Sequence, residues 1–485
     1  MHSIAQEALV RTSILSLVGV VLISGCSGTQ ETTPDSGGTG AQGGTSSTGG
    51  SAGSSSSSGG SAGTSSASGG TAGTTGAGTG GSAGGNGGAS GGTGGTFVGG
   101  GTGGGPEKPP LDCGANGVAI ENAGPIGNRV NYVILGDGYD STTVNTTFLE
   151  HIEVANQKRF SEVIGQPYGR YRKFVNICAI KVVSQSDGIG NGSTALSCTG
   201  DDQSRLANCD EGAADDVLDA ELPADFEVDW HAIVLNNDRW WNTGSAWMLW
   251  SGGHEDADGA ALHEGGHGFH NLADEYGGSN GGCSTEYVEV NSTANGTTSA
   301  GKWDLWKDFN QVGGTETQGF FNGSRYCDSG QYRPSDNSMM NMLFGDDGNT
   351  AFNAVSREKI IMDIWGVVVP IDSTDPPEGN VASPTTLTVN VIDPEVISVD
   401  WSVDGALVKA NGGPVFDVAA SGLASGSHTI AAKAYDNADD TWVRYTTGEC
   451  LDPPPSTNPG YIDPCWGRDA WKRSQQTATW TVTVP

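Results

Sequence analysis

His263-Glu264-Gly265-Gly266-His267-Gly268-Phe269-His270-Asn271-Leu272-Ala273-Asp274-Glu275-Tyr276 is the stretch on which the reading of this chain turns. Ala260, Ala261 and Leu262 just before it favour a helix. Two histidines four apart on a helix lie on one face, one above the other. That spacing lets the imidazoles of His263 and His267 reach one metal ion. Glu264 between them stands where it can take a proton from a water at that ion. A pair of ordinary core or surface histidines would need neither this carboxylate nor the Asp-Glu-Tyr cluster that follows.

His-Glu-x-x-His on a helix is the zinc-peptidase arrangement. A catalytic zinc keeps three protein ligands and an open position. His270, Asp274, Glu275, Glu286 and Glu289 are candidates for the third. His270 stands seven residues after His263, but three ligands along one straight helix would spread over about 10 Å of rise. A turn must therefore intervene. Asn271 tolerates the left-handed backbone that ends a helix, and Asp274, beyond that turn, can swing back to the ion.

The segment before the helix, Trp240 to Trp247, is aromatic and contains Gly244. Trp240, Trp241, Trp247 and Trp250 are read as packing residues, with a substrate cleft as the alternative. Further upstream, Val130 to Leu135, Val175 to Val183 and Asp229 to Asn237 read as buried strands. Thr143 to Phe160 reads as an amphipathic helix with an N-cap offered by Asp140 to Thr143. Asp215 to Leu222 reads as a short helix. Asp137, flanked by glycines after a strand, is expected to be a structural hydrogen-bond acceptor rather than a calcium ligand. Calcium is a weaker candidate cofactor at the pairs Asp201-Asp202 and Asp346-Asp347, neither of which has EF-hand spacing.

Downstream, residues 277–336 are loop-rich, Asn353 to Trp365 reads as a helix, and Pro370 to Pro377 reads as a boundary rich in proline and aspartate. Beyond it the period changes to two, in Leu387 to Val391, Ile397 to Val403, His428 to Tyr435 and Thr477 to Val484. Short alternating strands of this kind predict an all-β, Ig-like sandwich. The organisation expected is residues 1–26 a lipoprotein signal peptide, 27–108 a linker, 109–369 the metal-binding domain and 370–485 the sandwich.

The address is read from the first part of the chain. Arg11, an apolar run from Ile14 to Ile23 and Ser24-Gly25-Cys26 form a secretory signal with a lipobox, too short for a stable membrane span. The expectation is export, with the protein anchored to an outer membrane or cell surface through lipidated Cys26. From Ser27 to about Pro106 the chain is Gly, Ser, Thr and Ala and cannot bury a core. Such a coil spans about 50 Å, enough to lift a domain clear of a membrane. Eight further cysteines, an even number in an exported chain, predict disulfides. Proximity pairs Cys198 with Cys209 and Cys450 with Cys465, leaving Cys283 with Cys327 and Cys113 with Cys178.

The 485 residues carry a formal charge of -33, from 23 basic and 56 acidic side chains. Nucleic acid is not an expected partner, because phosphate binding needs clustered positive charge. A monomer acting on a protein or peptide is expected.

The opening stretch resembles the signature of the IgA-peptidase family of zinc metallopeptidases, in the metzincin-like group, with its His-Glu-x-Gly-His helix followed by Leu-Ala-Asp-Glu-Tyr. Val133-Ile134-Leu135-Gly136-Asp137-Gly138-Tyr139 resembles the family's strand–Gly-Asp-Gly-Tyr opening. Tyr332 to Met340 resembles the segment that leads to its Met-turn, and Phe352 to Arg357 the start of its closing helix. The resemblance spans about Leu111 to Val369. It implies an α+β fold, a mixed sheet with an active-site helix. It also implies one Zn2+ held by His263, His267 and Asp274, with Glu264 as general base. Met340 would pack beneath the ligands, with Met339 and Met342 in competition, and Glu275 would hold a ligand from behind. Tyr332 is assigned as a second catalytic residue by analogy with the tyrosines some metzincins use for an oxyanion, with Tyr276 and His270 as alternatives. Members commonly carry small residues where His270 and Asn271 stand, and metzincins in the broad sense place Gly and the third ligand at positions occupied here by His270 and Ala273.

The function expected is therefore that of an exported, lipid-anchored zinc metalloendopeptidase. Two other classes fit the sequence less well: a surface adhesin or glycan-binding lipoprotein with a degenerate peptidase domain, and an amidase of cell-wall peptides.

Overall fold

Val130–Asp137 (β2) is an eight-residue strand buried along its whole length, and the sheet is built outward from it. The computed structural model describes residues 110–190, 192–278, 280–299, 302–311, 317–341, 350–444 and 466–485, the side chains of 466–469 excepted. The signal segment, Cys26, the linker, Met342, the Asp346-Asp347 pair and Cys450–Cys465 lie outside the described residues.

In chain order the first part contains β1 (Gly117–Glu121), β2, α1 (Thr147–Arg159), β3 (Val175–Ile180), β4 (Thr199–Gly200), β5 (Ala207–Asn208), α2 (Glu211–Glu221), β6 (Trp230–Leu235), β7 (Thr243–Gly244), β8 (Met248–Ser251) and α3 (Ala257–Gly268). Six of these strands form a mixed sheet in the order β1-β3-β2-β6-β8-β7. β2 is parallel to β3 and β6, and β6 to β8. The edge strands β1 and β7 run antiparallel to their neighbours. A central parallel strand is covered on both faces, which is why β2 reads as a continuous apolar run. Its even residues Tyr132 and Ile134 join a core with Phe148, Ile152 and Ala155 of α1 and Ala260 and Ala261 of α3. Its odd residues Val133 and Leu135 join a second core with Ala214 of α2.

The expected strands and helices are present, with shifted ends. Asp140 caps a 3-10 turn at Thr143–Asn145, accepting from the Thr142 and Thr143 amides at 2.8 and 2.9 Å, and the α-helix begins only at Thr147. α2 starts earlier than expected because the Asp210 side chain caps the Ala213 amide at 3.1 Å. The aromatic segment before α3 contains two strands, β7 and β8. β8 is fully buried, and at four residues it is too short to show a period. Asp137 is buried and accepts from Ser184 Oγ and from the amides of Leu196 and Cys198 at 2.9 to 3.1 Å. Cys113–Cys178, Cys198–Cys209 and Cys283–Cys327 are disulfides.

The loop-rich region holds a hairpin of β9 (Phe321–Ser324) and β10 (Cys327–Arg333). Its turn residues Arg325 and Tyr326 both have positive φ, 53° and 61°. α4 (Ala354–Val367) follows, capped by Asn353 onto the Ser356 amide at 3.0 Å.

Beyond α4 lie β11 (Ile371–Asp375), β12 (Gly379–Ala382), β13 (Thr386–Val391), β14 (Ile397–Val403), β15 (Ala406–Lys409), β16 (Val415–Asp417), β17 (Gly426–Asp436), α5 (Trp466–Arg473) and β18 (Gln475–Val484). The segment read as a boundary is therefore partly strand, because Ile371 to Asp375 pairs with β13. The strands form a three-stranded sheet, β11-β13-β16, and a five-stranded one, β12-β18-β17-β14-β15. Trp401 of the larger sheet stacks on Phe416 of the smaller at 5.2 Å and on Trp480 at 5.8 Å. This part shares one continuous core with α4 and the first sheet. Among the described residues no helix is long and apolar enough to cross a membrane.

Candidate metal centre

α3 is buried from Gly259 through Gly266, so its histidines are held by packing. The two glycines between them allow that packing. A Cβ on Gly265 would fall 2.8 Å from the Trp230 ring, and one on Gly266 would fall 2.5 Å from Met340 Sδ. After Gly268 the chain passes through Asn271 at φ 49°, the left-handed turn expected from the sequence. Two consequences follow from this turn. The Leu272 carbonyl comes back within 2.6 Å of His267 Nδ1, and Asp274 returns to the histidine face.

Asp274 Oδ1 lies 3.1 Å from His263 Nε2 and 3.1 Å from His267 Nε2, and the two nitrogens are 3.1 Å apart. The atoms form an equilateral triangle. Each imidazole's other nitrogen faces a backbone carbonyl: His263 Nδ1 lies 2.9 Å from Met339 O, and His267 Nδ1 lies against Leu272 O. A carbonyl only accepts, so each Nδ1 carries the proton and each neutral ring presents its lone pair at Nε2. Without a cation, a proton shared with the Asp274 carboxylate occupies that corner; with both rings neutral, two nitrogen lone pairs and a carboxylate oxygen face one point. A cation is what that donor set fits, and backbone orientation of histidine ligands is the usual support of such a site. It is the only group of this kind among the described residues.

The electrostatics agree. Burial works against charge on Asp274, yet the two histidines hold its carboxyl well below the usual range. Burial likewise opposes a charge on His267, and the Asp274 carboxylate outweighs it, pushing the imidazole up to about 9. The site thus demands positive charge opposite Asp274. Glu264 is buried, and burial raises its carboxyl against the pull of both histidines.

Glu275 is buried, and none of His263, His267 and Asp274 is among its side-chain partners. Its carboxylate accepts from Asn291 Nδ2 and Asn353 Nδ2, both at 2.9 Å, and from Ser338 Oγ at 2.6 Å. Its amide donates to Met340 O at 2.7 Å. Burial pushes its carboxyl up to about 7. Glu275 therefore ties the Asp274 strand, the methionine segment and the start of α4 together.

Other candidates are placed elsewhere. Both nitrogens of His270 are engaged away from the triangle, at 2.6 Å from Tyr168 OH and 2.7 Å from Asp363 Oδ2. Glu286 binds Lys302, Thr293 and the Ala294 amide, and Glu289 pairs with Arg325. Tyr332 lies in β10. Its backbone pairs with Thr293 and its ring packs over Gly296, where a Cβ would fall 2.6 Å from Cζ. The tyrosines beside the triangle are Tyr276 and Tyr326. Their hydroxyls are 3.1 Å apart. Burial first, then the Asp274 carboxylate, raises the pKa of each.

Tyr276 was an alternative in the sequence, whereas Tyr326 was not found, because it enters from the turn between β9 and β10. Met340 packs against the ligand helix as expected, while the neighbouring Met339 carbonyl orients His263. Of the four tryptophans, Trp247 and Trp250 are buried. Trp240 and Trp241 line a surface pocket.

Residues 118–315 match the model of the family described as IgA Peptidase M64. The match contains the triangle and Glu264 and ends before the methionine segment. No curated protein matches the chain.

Proposed function

We propose that this chain, a member of the IgA peptidase M64 family through residues 118–315, is a zinc-dependent endopeptidase of extracellular proteins. The observation that carries the reading is the triangle of His263 Nε2, His267 Nε2 and Asp274 Oδ1, with both Nδ1 protons committed to carbonyls. Two imidazoles and a carboxylate suit zinc, whose catalytic sites keep three protein ligands and an open position. Held there, zinc supplies Lewis acidity, polarising the scissile carbonyl and making water acidic enough to react near neutral pH.

The chain's own residues do the rest. Glu264, one position from His263 and raised by burial, accepts the proton of the attacking water and delivers it to the departing amine. Tyr326 and Tyr276, whose hydroxyls adjoin Asp274, donate hydrogen bonds to the oxyanion as it develops. Met339 O and Leu272 O keep the imidazoles turned. The fold proposed is of the metzincin type, with an Ig-like sandwich packed against it. Export is proposed on the three disulfides, and lipid anchoring at Cys26 on the Ser24-Gly25-Cys26 sequence.

The test is hydrolysis of casein by wild type and Glu264→Gln, with metal content measured on both. Wild type should cleave, lose cleavage to a zinc chelator and regain it with Zn2+. Glu264→Gln should keep the metal and lose cleavage by about 10²-fold or more. Metal-loaded wild type that cleaves neither proteins nor peptides would sink the proposal in favour of a binding protein. Cleavage confined to cell-wall peptides would redirect it to an amidase.

A further inference from the structure

A second feature, tied to the metal triangle through the sheet edge, lies on the loop closed by Cys198–Cys209. Asp202, Arg205, Arg239, Trp240 and Trp241 line an open pocket of about 500 Å³. Its walls are fixed. Trp241 lies flat on Gly200, where a Cβ would fall 2.0 Å from the ring, and its Nε1 donates to Asp202 Oδ1 at 2.9 Å. Asp202 Oδ2 accepts from Arg239 at 2.5 Å, so the single carboxylate of the pocket is already used. Arg205 forms no ion pair among the described residues and is exposed. Its backbone is pinned in a left-handed conformation, φ 62°. The amide of Arg205 donates to Asp201 O at 2.7 Å and its carbonyl accepts from Asn242 at 3.1 Å.

That last bond joins the pocket to the metal site. Asn242 leads into β7, Ala207 is tied to the Thr243 hydroxyl at 3.0 Å, and Gly244 packs directly on His267. The pocket and the metal ligand are thus linked by a short rigid strand at the edge of the sheet. Two arginines and one aspartate line this pocket, in a chain whose formal charge is -33.

We propose that this pocket is a specificity subsite that takes the carboxylate of an acidic residue in the substrate polypeptide, several residues away from the bond that is cut. The proposal rests on the peptidase reading. Arg205 supplies the charge, which is not spent on a partner, and a planar guanidinium matches a carboxylate bidentately. The indole faces of Trp240 and Trp241 flank the acidic side chain's methylenes. The disulfide and the Asn242 bond hold the Arg205 backbone in place before substrate arrives, so only its side chain has to be ordered on binding. Its open position makes the attraction sensitive to salt.

The test is cleavage profiling of a mixed peptide library by zinc-loaded wild type, Arg205→Glu and Arg205→Lys. Each replacement meets the same left-handed backbone, so the three proteins bear similar strain. Wild type should enrich Asp and Glu at one fixed position relative to the cut. Arg205→Glu should lower that enrichment, measured against uncharged residues in the same library, by about 2- to 5-fold, and Arg205→Lys should keep most of it. High salt should erase the difference. No acidic enrichment in wild type, or unchanged enrichment in Arg205→Glu, would overturn the proposal.

A second arm separates this failure from failure of the peptidase reading. Binding of hexaglutamate and of hexaglutamine is followed by tryptophan fluorescence on the Glu264→Gln and Glu264→Gln/Arg205→Glu proteins. Salt-sensitive binding of hexaglutamate that requires Arg205 supports the pocket even if no peptide is cleaved. Equal binding of the two peptides counts against it whether or not cleavage occurs.

Discussion

Gly244 and His267 touch across the edge of the sheet: a Cβ on Gly244 would fall 2.4 Å from the His267 Cβ and 2.6 Å from its ring. The smallest residue stands there because His267 occupies the space a side chain would need. The metal site is therefore positioned from three sides, by β7 at His267, by the Met339 carbonyl at His263 and by the Asn271 turn at Asp274.

Gly244→Ala should accordingly act on the metal more than on the fold. The new methyl group meets the root of the His267 side chain, which cannot rotate away without breaking the Leu272 bond. Overpacking of this kind costs about 1–3 kcal/mol. A displaced ligand support lowers metal affinity by about 10- to 100-fold. Competition against a zinc-binding dye, beside a thermal melt, checks both. Unchanged zinc affinity would show that His267 has room the structure does not give it.

The metal-free protein should lose stability as pH rises through the range where most enzymes work. Burial opposes charge on His267, but Asp274 pushes it up to about 9, above the ordinary histidine value of about 6.5. A group raised in the fold stabilises it fully below its unfolded value and stops doing so as pH passes its folded value. The loss therefore falls between about pH 6.5 and 9 and is on the order of 3 kcal/mol. Asp274, held low, acts the other way and costs stability only as pH falls below about 4. With zinc bound the imidazoles need no proton, so the decline from pH 6.5 to 9 should vanish. Thermal melts across that range, in chelator and in excess zinc, should give clearly different slopes.

The tyrosines separate by position. Tyr326→Phe and Tyr276→Phe each remove a hydroxyl beside Asp274, and a lost oxyanion donor costs about 10²-fold or more in kcat. At least one of the two should show a loss of that order with KM little changed. Tyr332→Phe should stay within about twofold, since its ring packs over Gly296 and a surface-type change alters little. A large loss in Tyr332→Phe alone would reverse the assignment.

What could be read from the sequence was local. His263, Glu264 and His267 follow from helical spacing, and Asn271 follows from its tolerance of positive φ. β2 shows itself because the largely apolar run from Val130 to Leu135 needs no partner to be recognised. What could not be read depends on distant backbone. The carbonyl of Met339 orients His263 from 76 positions away, and a carbonyl has no residue identity to detect. Tyr326 reaches the site from a two-residue hairpin turn built on Arg325 and Tyr326, both at positive φ, where Asn or Gly would have signalled it. Tyr332 lies farther along β10 of the same hairpin, where its ring packs over Gly296. The strand Ile371–Asp375 was hidden by the aspartates and prolines around it.

Asp436 is one joint between the two halves of the described chain, beside the Arg129–Asp372 pair, and cutting it should show that neither half stands alone. The residue is buried at the end of β17 and accepts from Tyr171 OH at 2.6 Å, Trp365 Nε1 at 2.9 Å and Arg170 Nη2 at 3.1 Å. All three donors belong to the metal-binding half. Arg473 of α5 meanwhile donates to the carbonyls of Trp365 and Val367 at 3.1 and 3.0 Å, covering the C-terminal end of α4 that would otherwise lack partners. α4 in turn carries Asn353 at its start, which holds Glu275 behind the metal ligands. Asp436→Ala leaves the buried Tyr171 and Trp365 donors without their acceptor and removes the charge paired with Arg170, which keeps only Asn437; breaking such a pair costs about 3–5 kcal/mol. Calorimetry of the full chain should show one transition, and Asp436→Ala should lower its midpoint as a whole. A chain ending at residue 369 should lack a cooperative transition and bind zinc weakly. Two independent transitions in the full chain, or a truncated chain that melts cooperatively with zinc bound, would show that the C-terminal sheets are an appendage and that α4 holds its place without them.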